Sequence, residues 1–167
     1  MAASLSQLLR IHQLIDPIDD LISLCQRSCE LLAQALQLPD QVLYLYNPHK
    51  QLQQVAAAGA KFAPGAGVLS PLSLAIGEGV VGLAAQQGQS LCIADTTTMP
   101  DYICDDASRL AELSVPIVYQ GELIGVLDAE HAQEQALGNG VGRRRACLAR
   151  RVADDREVGV HGQIGLA

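Results

Sequence analysis

Two apolar runs, ELSVPIVY (112–119) and LIGVLDAEH (123–131), are separated only by Gln120, Gly121 and Glu122. A link that short makes a hairpin, with Gly121 supplying the unusual φ of the turn, and it commits this part of the chain to an antiparallel sheet. The same pattern recurs upstream. QVLYLYN (41–47) is rich in β-formers and bounded by Pro39 and Pro48, and LQQVAAAG (52–59) is its hairpin partner across the turn NPHK. SLCIAD (90–95) predicts one further strand, with Cys92 read as a core thiol within it.

Two helices precede the strands. Leu5, Leu8, Leu9 and Ile15 recur at amphipathic spacing in SLSQLLRIHQLI. A second helix is expected to start at Asp16 as N-cap with Pro17 in its first turn, and to stop near Pro39. Ile18, Leu21, Ile22, Cys25, Leu32 and Leu36 mark its apolar face, and Cys25 and Cys29 read as packed core thiols. Helices first, then hairpins, then a short helix and further strands describe an α+β plan with long helices on one face of an antiparallel sheet.

Gly77, Gly79 and Gly82 stand at the G-x-G-x-x-G spacing of a dinucleotide fingerprint, and Asp95 lies 18 positions after Gly77. The context rejects that reading. A fingerprint needs a buried strand before its first glycine and a crossover helix after it. Here GAGVLSPLSLA (65–75) carries two glycines and a proline, and VVGLAAQQ (80–87) is about two turns long before Gly88. The glycines are read instead as shaping a loop and a short helix.

With 167 residues and 49% hydrophobic content the chain has the size of one domain and can bury a core without disulfides. Its five cysteines form neither a C-x-x-C motif nor a zinc signature, so no metal site and no cofactor is expected. No apolar run reaches the ~20 residues of a membrane helix, and a cytoplasmic location follows as the expectation. Residues 1–134 carry 5 Lys+Arg against 15 Asp+Glu, and residues 135–167 carry 6 against 3. An acidic body argues against nucleic acid as a partner, because phosphate binding needs clustered lysine and arginine. The last stretch, 135–167, is rich in Gly and Arg and has no apolar stripe, so it is set apart from a domain at 1–134 as an atypical tail, not necessarily the native continuation.

Taken together, IGEGVVGLAAQQGQSLCIADTTTMPDYICDD (76–106), AELSVPIVY (111–119) and GELIGVLDAEH (121–131) resemble the GAF domains, small-molecule sensor modules of signalling proteins. The resemblance spans roughly residues 14–134. It implies a GAF-like antiparallel sheet with long N-terminal helices on one face and ligand-pocket loops on the other, the glycine segment forming one pocket wall. It further implies a closing helix beside the first one, with a homodimer through these helices where that helix is present. A small-molecule-sensing domain of a histidine kinase or regulator, in a two-component style of signalling, is the expected function.

One branch of the family, the free methionine-R-sulfoxide reductases, is enzymatic, and Ile103, Cys104, Asp105, Glu112, Asp128 and Glu130 sit at places similar to its signature. In that alternative Cys104 is the catalytic thiol and Glu112, Asp128 and Glu130 hold the substrate. The chain departs from that branch in having Val81 where the branch carries a cysteine, and the stretch from Cys104 to Glu112 is one residue longer. Arg109 is the local cation able to lower the Cys104 pKa, against Asp101, Asp105 and Asp106, which raise it. A third alternative is a ligand-free structural or dimerisation module. The pocket set that the resemblance implies is Tyr102, Ile103, Cys104, Asp105, Asp106, Glu112, Ser114, Asp128 and Glu130. His131 reads as a solvated strand end.

Overall fold

A computed structural model describes residues 5–98, 102–103 and 108–133. Helix α1 spans Leu5–Ile15 and α2 spans Leu21–Leu36. The start of α2 corrects the sequence expectation: Asp20, not Asp16, is the N-cap, its carboxylate accepting the Ser23 N–H at 2.7 Å. Asp16 and Pro17 lie in the connection between the helices. Both positions offer an Asp ahead of the apolar stripe, and the cap that forms is the one whose helix sets Cys25 and Cys29, one turn apart, onto the sheet. At the other end Gln37 takes a left-handed φ of 53° and its N–H returns to the last turn, while Leu38 N–H reaches Ala33 O at 3.1 Å.

Strands β1 (Asp40–Tyr46) and β2 (Gln51–Ala58) form the first hairpin. Asn47 closes its turn by accepting the N–H groups of His49 and Gln51. The segment 60–71 contains a two-stranded hairpin of β3 (Phe62–Ala63) and β4 (Gly67–Val68). Then come β5 (Ser73–Ala75), α3 (Gly79–Gln87), β6 (Leu91–Ile93), a short 3-10 turn at Thr96–Thr98, β7 (Ala111–Tyr119) and β8 (Glu122–His131). The turn between β7 and β8 consists of Gln120 at φ 51° and Gly121 at φ 83°, the mirror-image geometry that matches the twist of paired strands.

The main sheet has the order β5-β2-β1-β8-β7-β6, and every neighbouring pair is antiparallel. Side chains alternate across it. On one face Leu43, Ala56 and Ala58 pack against Cys25 and Cys29 of α2, and beside them Leu38, Ala111, Leu113 and Ala129 close a second cluster. On the other face Val42, Leu52 and Val126 meet Val81 of α3. Full burial of a side chain such as Leu52 or Val126, both 0% exposed, stabilises by about 1.5–3 kcal/mol. Cys92 corrects the expectation of a core thiol: β6 is a three-residue edge strand and the thiol faces outward, exposed. None of the helices among the described residues is long and apolar enough to cross a membrane.

Candidate functional site

The register of the three central strands builds the site. Asp40 of β1 pairs with Glu130 of β8, which pairs with Glu112 of β7; one step along, Val42 pairs with Asp128 and Asp128 with Ser114. Because residues two apart share a face, Glu112, Ser114, Asp128 and Glu130 project together on the side that carries α3. All are buried, Ser114 completely and Asp128 at 2% exposure. Glu112, Asp128 and Glu130 line a cavity with Tyr44, Val80, Val81, Tyr102 and Ile103.

The roof of the cavity is the glycine segment. Gly79 has φ +62°, and a Cβ there would stand 3.4 Å from Ile103. Gly82 lets α3 lie against β5, since an added Cβ would stand 2.5 Å from the carbonyl oxygen of Ala75. These are packing and turn roles, so no phosphate cradle forms. Asp95, the apparent ribose ligand, instead accepts the Thr97 N–H at 3.0 Å and the Thr97 hydroxyl at 2.6 Å in the 3-10 turn.

Within the cavity Ser114 Oγ lies 2.6 Å from Asp128 Oδ1 and 3.2 Å from Glu112 Oε1. A serine hydroxyl has one proton to donate. Two such contacts are satisfied when one carboxyl is itself protonated, and Asp128 also shares a hydrogen bond with Glu112. Burial, first, and then the neighbouring Glu112 and Glu130 push Asp128 well above the usual carboxylate range, against a smaller opposing effect of the Ser114 hydrogen bond. The site is a proton-holding cluster of carboxylates. Tyr102 joins it, its hydroxyl hydrogen-bonded to Glu112, and burial followed by the charges of Glu112 and Glu130 raises its phenol far above the ordinary tyrosine value.

Of the residues singled out from sequence, Tyr102, Ile103, Glu112, Ser114, Asp128 and Glu130 come together here. Cys104, Asp105, Asp106 and Asp101 lie outside the described residues. Arg109, the cation local to Cys104 in the sequence, is engaged with Asp40 at 2.8 Å in an ion pair whose side chains are 14% and 6% exposed. Asp40 also accepts the Ala60 N–H at 2.6 Å, so this pair ties the entry of β7 to the loop after β2. His131 is half-buried and accepts the Gln133 N–H through Nδ1. Val81, at the place of the branch's cysteine, is 4% exposed in the apolar core.

Sequence reasoning missed Tyr44 and Gln54. Gln54 donates to the Tyr44 hydroxyl at 2.7 Å and accepts the Leu72 N–H at 3.0 Å, pinning the cavity rim. Tyr44 and Tyr46 share one face of β1 and nothing local in LYLY separates them; the irregularity in the β1–β2 pairing falls at Val55 of β2 and brings Gln54 opposite Tyr44. A wider, open groove of ≈ 490 Å³ lies against the first half of α2, lined by Ile18, Ile22 and Phe62 among others. Size favours the groove, but the convergent buried polar groups that orient a ligand are in the cavity.

A central antiparallel sheet, helices behind it, and a roofed polar cavity in front define a small α+β pocket domain. The GAF domain family model matches residues 20–155, and the chain belongs to that family. A Dictyostelium discoideum GAF domain-containing protein A is 34% identical over 68 residues, which cover 41% of this chain and 43% of that relative. Among solved structures, the GAF domain of an Acinetobacter phosphoenolpyruvate-protein phosphotransferase is similar with a TM-score of 0.72 and 21% identity over 96% of this chain and 97% of its own. A free methionine-R-sulfoxide reductase of Neisseria meningitidis, in complex with its substrate, is similar at TM-score 0.66 and 22% identity over 92% and 96%. These likenesses concern the fold, and both sensor-type domains and reductases share it.

Proposed function

We propose that this GAF domain is a signalling sensor whose pocket takes a small molecule carrying a positively charged amine. The observation that carries the reading is the buried set Glu112, Asp128 and Glu130 around one cavity, where burial and the neighbouring carboxylates raise the Asp128 pKa. An ammonium group supplies both the charge and the three donors that such a set accepts, and can take the place of the stored proton. The test is thermal unfolding with methylammonium, putrescine, L-methionine and L-methionine sulfoxide, each beside a neutral or acidic analogue. A ligand that binds only the folded state raises stability by about 2.7 kcal/mol at a hundredfold excess over Kd. A saturable rise in Tm with an amine, lost in Glu112→Gln, supports the reading; equal shifts with the neutral analogues overturn it.

The reductase reading keeps one supporting observation, the convergence of Glu112, Asp128 and Glu130 in a fold shared with that enzyme class. It is the second choice because Val81 fills the position of the branch's additional thiol with a core side chain. Repeated turnover of free methionine sulfoxide with a dithiol reductant, abolished in Cys104→Ser, would put it first. Pairing of two copies through the helices remains part of the proposal, and sedimentation of the purified chain tests it.

A further inference from the structure

The cavity between the carboxylates and α3 measures ≈ 20 Å³. That is about the room one ordered water needs, whereas small-molecule pockets run to about 300–1,000 Å³. A ligand therefore needs part of the wall to withdraw. Glu112, Asp128, Glu130 and Tyr44 stand on strands paired on both sides, and Val80 and Val81 belong to α3, so displacing them breaks backbone hydrogen bonds. Leu74 is in β5, and Leu72 is held through its N–H by Gln54. Tyr102 and Ile103 alone among the lining residues given for the cavity combine two features: they belong to no helix or strand, and they occupy its carboxylate end or roof. Their burial is partial: Tyr102 is half-buried and Ile103 is 36% exposed, so their leaving forfeits less apolar contact than withdrawing Val80 or Val81, at 2% and 4% exposure, would.

We propose, on the footing of the amine-sensor reading above, that Tyr102 is a resident occupant of the pocket: its phenol stands where a ligand's amine stands, and ligand binds by displacing it. The hydroxyl donates to Glu112 and lies within the influence of Asp128 and Glu130, so it satisfies one acceptor of the cluster without bringing a charge. Ile103 lies over Gly79, where an added Cβ would stand 3.4 Å from its side chain, an ordinary contact distance. The apparent affinity for any ligand is then its intrinsic affinity reduced by the fraction of molecules in which Tyr102 has left. Tyr102 sets the threshold at which the domain responds.

The test has a ligand-free arm and a ligand arm, on the full chain. In the first, the Asp128 side-chain carboxyl is followed by NMR against pH in the parent, Tyr102→Phe and Tyr102→Ala. Removing the plug admits water, so the Asp128 midpoint falls by a pH unit or more in Tyr102→Ala and less in Tyr102→Phe; an unchanged midpoint in Tyr102→Ala overturns the proposal. In the second arm, methylammonium chloride is titrated into the same proteins. Binding at least tenfold tighter in Tyr102→Ala than in the parent, with Tyr102→Phe between them, is expected. Weaker binding in Tyr102→Ala would make Tyr102 a group that closes over the ligand and overturns its role as occupant. Should methylammonium bind none of the proteins, the amine reading fails, and the Asp128 midpoint alone decides for or against the plug. If Tyr102→Ala does not fold, Tyr102→Phe carries both arms: a lowered Asp128 midpoint and tighter binding support the plug, and no change in either overturns it.

Discussion

Ser114 Oγ and Asp128 Oδ1 meet at 2.6 Å across the β7–β8 pair, in a place where both residues are at most 2% exposed. The hydrogen bond favours the ionised form of Asp128, and burial with two neighbouring glutamates favours the protonated form more strongly. The balance leaves a carboxyl in the protein interior that keeps its proton above the pH at which an exposed aspartate has lost it.

A stability change with pH follows from that balance. The folded-state pKa of Asp128 lies above its unfolded value, so folding takes up a proton in the interval between them. The group's contribution is most favourable below the unfolded value, near 4, and declines as pH rises toward the folded value. Asp128→Asn removes the titration while retaining an oxygen to accept from Ser114. We expect the variant to lose less stability than the parent between pH 5 and 8, read as the difference in urea midpoints across that range; parallel curves would show that Asp128 titrates normally.

The glycine segment gives a second test, because its glycines act for different reasons. A methyl at Gly82 stands 2.5 Å from the Ala75 carbonyl oxygen, with backbone on the far side that cannot yield, whereas a methyl at Gly88 meets nothing within 4 Å. Gly88 is the left-handed cap of α3 at φ 62°, so Gly88→Ala costs about 1 kcal/mol in backbone strain. Gly82→Ala, as an overpacking change, costs about 1–3 kcal/mol or more and lifts the roof of the cavity. Chemical denaturation should rank Gly82→Ala below Gly88→Ala; the reverse order would refute the packing role.

Gln41 offers the third. Its side chain is 0% exposed on the α2 face of β1, and both its amide atoms lack a hydrogen-bond partner among the described residues. A buried polar group left unsatisfied costs about 1–3 kcal/mol. Gln41→Met keeps the length of the side chain and removes both polar atoms, so it should raise the unfolding free energy by about 1–3 kcal/mol. A loss of stability would mean that the amide meets a partner in solution.

Much of this architecture is legible in the sequence. The hairpin of 112–131 was readable because alternation, Gly121 and a short link all point to one geometry, and the end of α2 because Pro39 cannot continue a helix. Glu112, Asp128 and Glu130 are candidates because the resemblance to the reductase branch of the GAF family implies them, through their places in its signature. What the sequence left open is decided by contacts between distant segments. Asp16 with Pro17 reads as the start of α2, yet the cap that forms is Asp20, which accepts the Ser23 N–H. Cys92 sits in an apolar triplet that local reasoning buries, yet the order of the sheet makes β6 an edge and turns the thiol outward. Gln54 comes opposite Tyr44 at the cavity rim through a register shift at Val55 that no local pattern announces. Local propensity and periodicity are short-range properties of the chain, so they determine the elements and which residues alternate. Which carboxylates meet around one cavity and which arginine is engaged elsewhere depend on strand order and register, and only the folded sheet settles those.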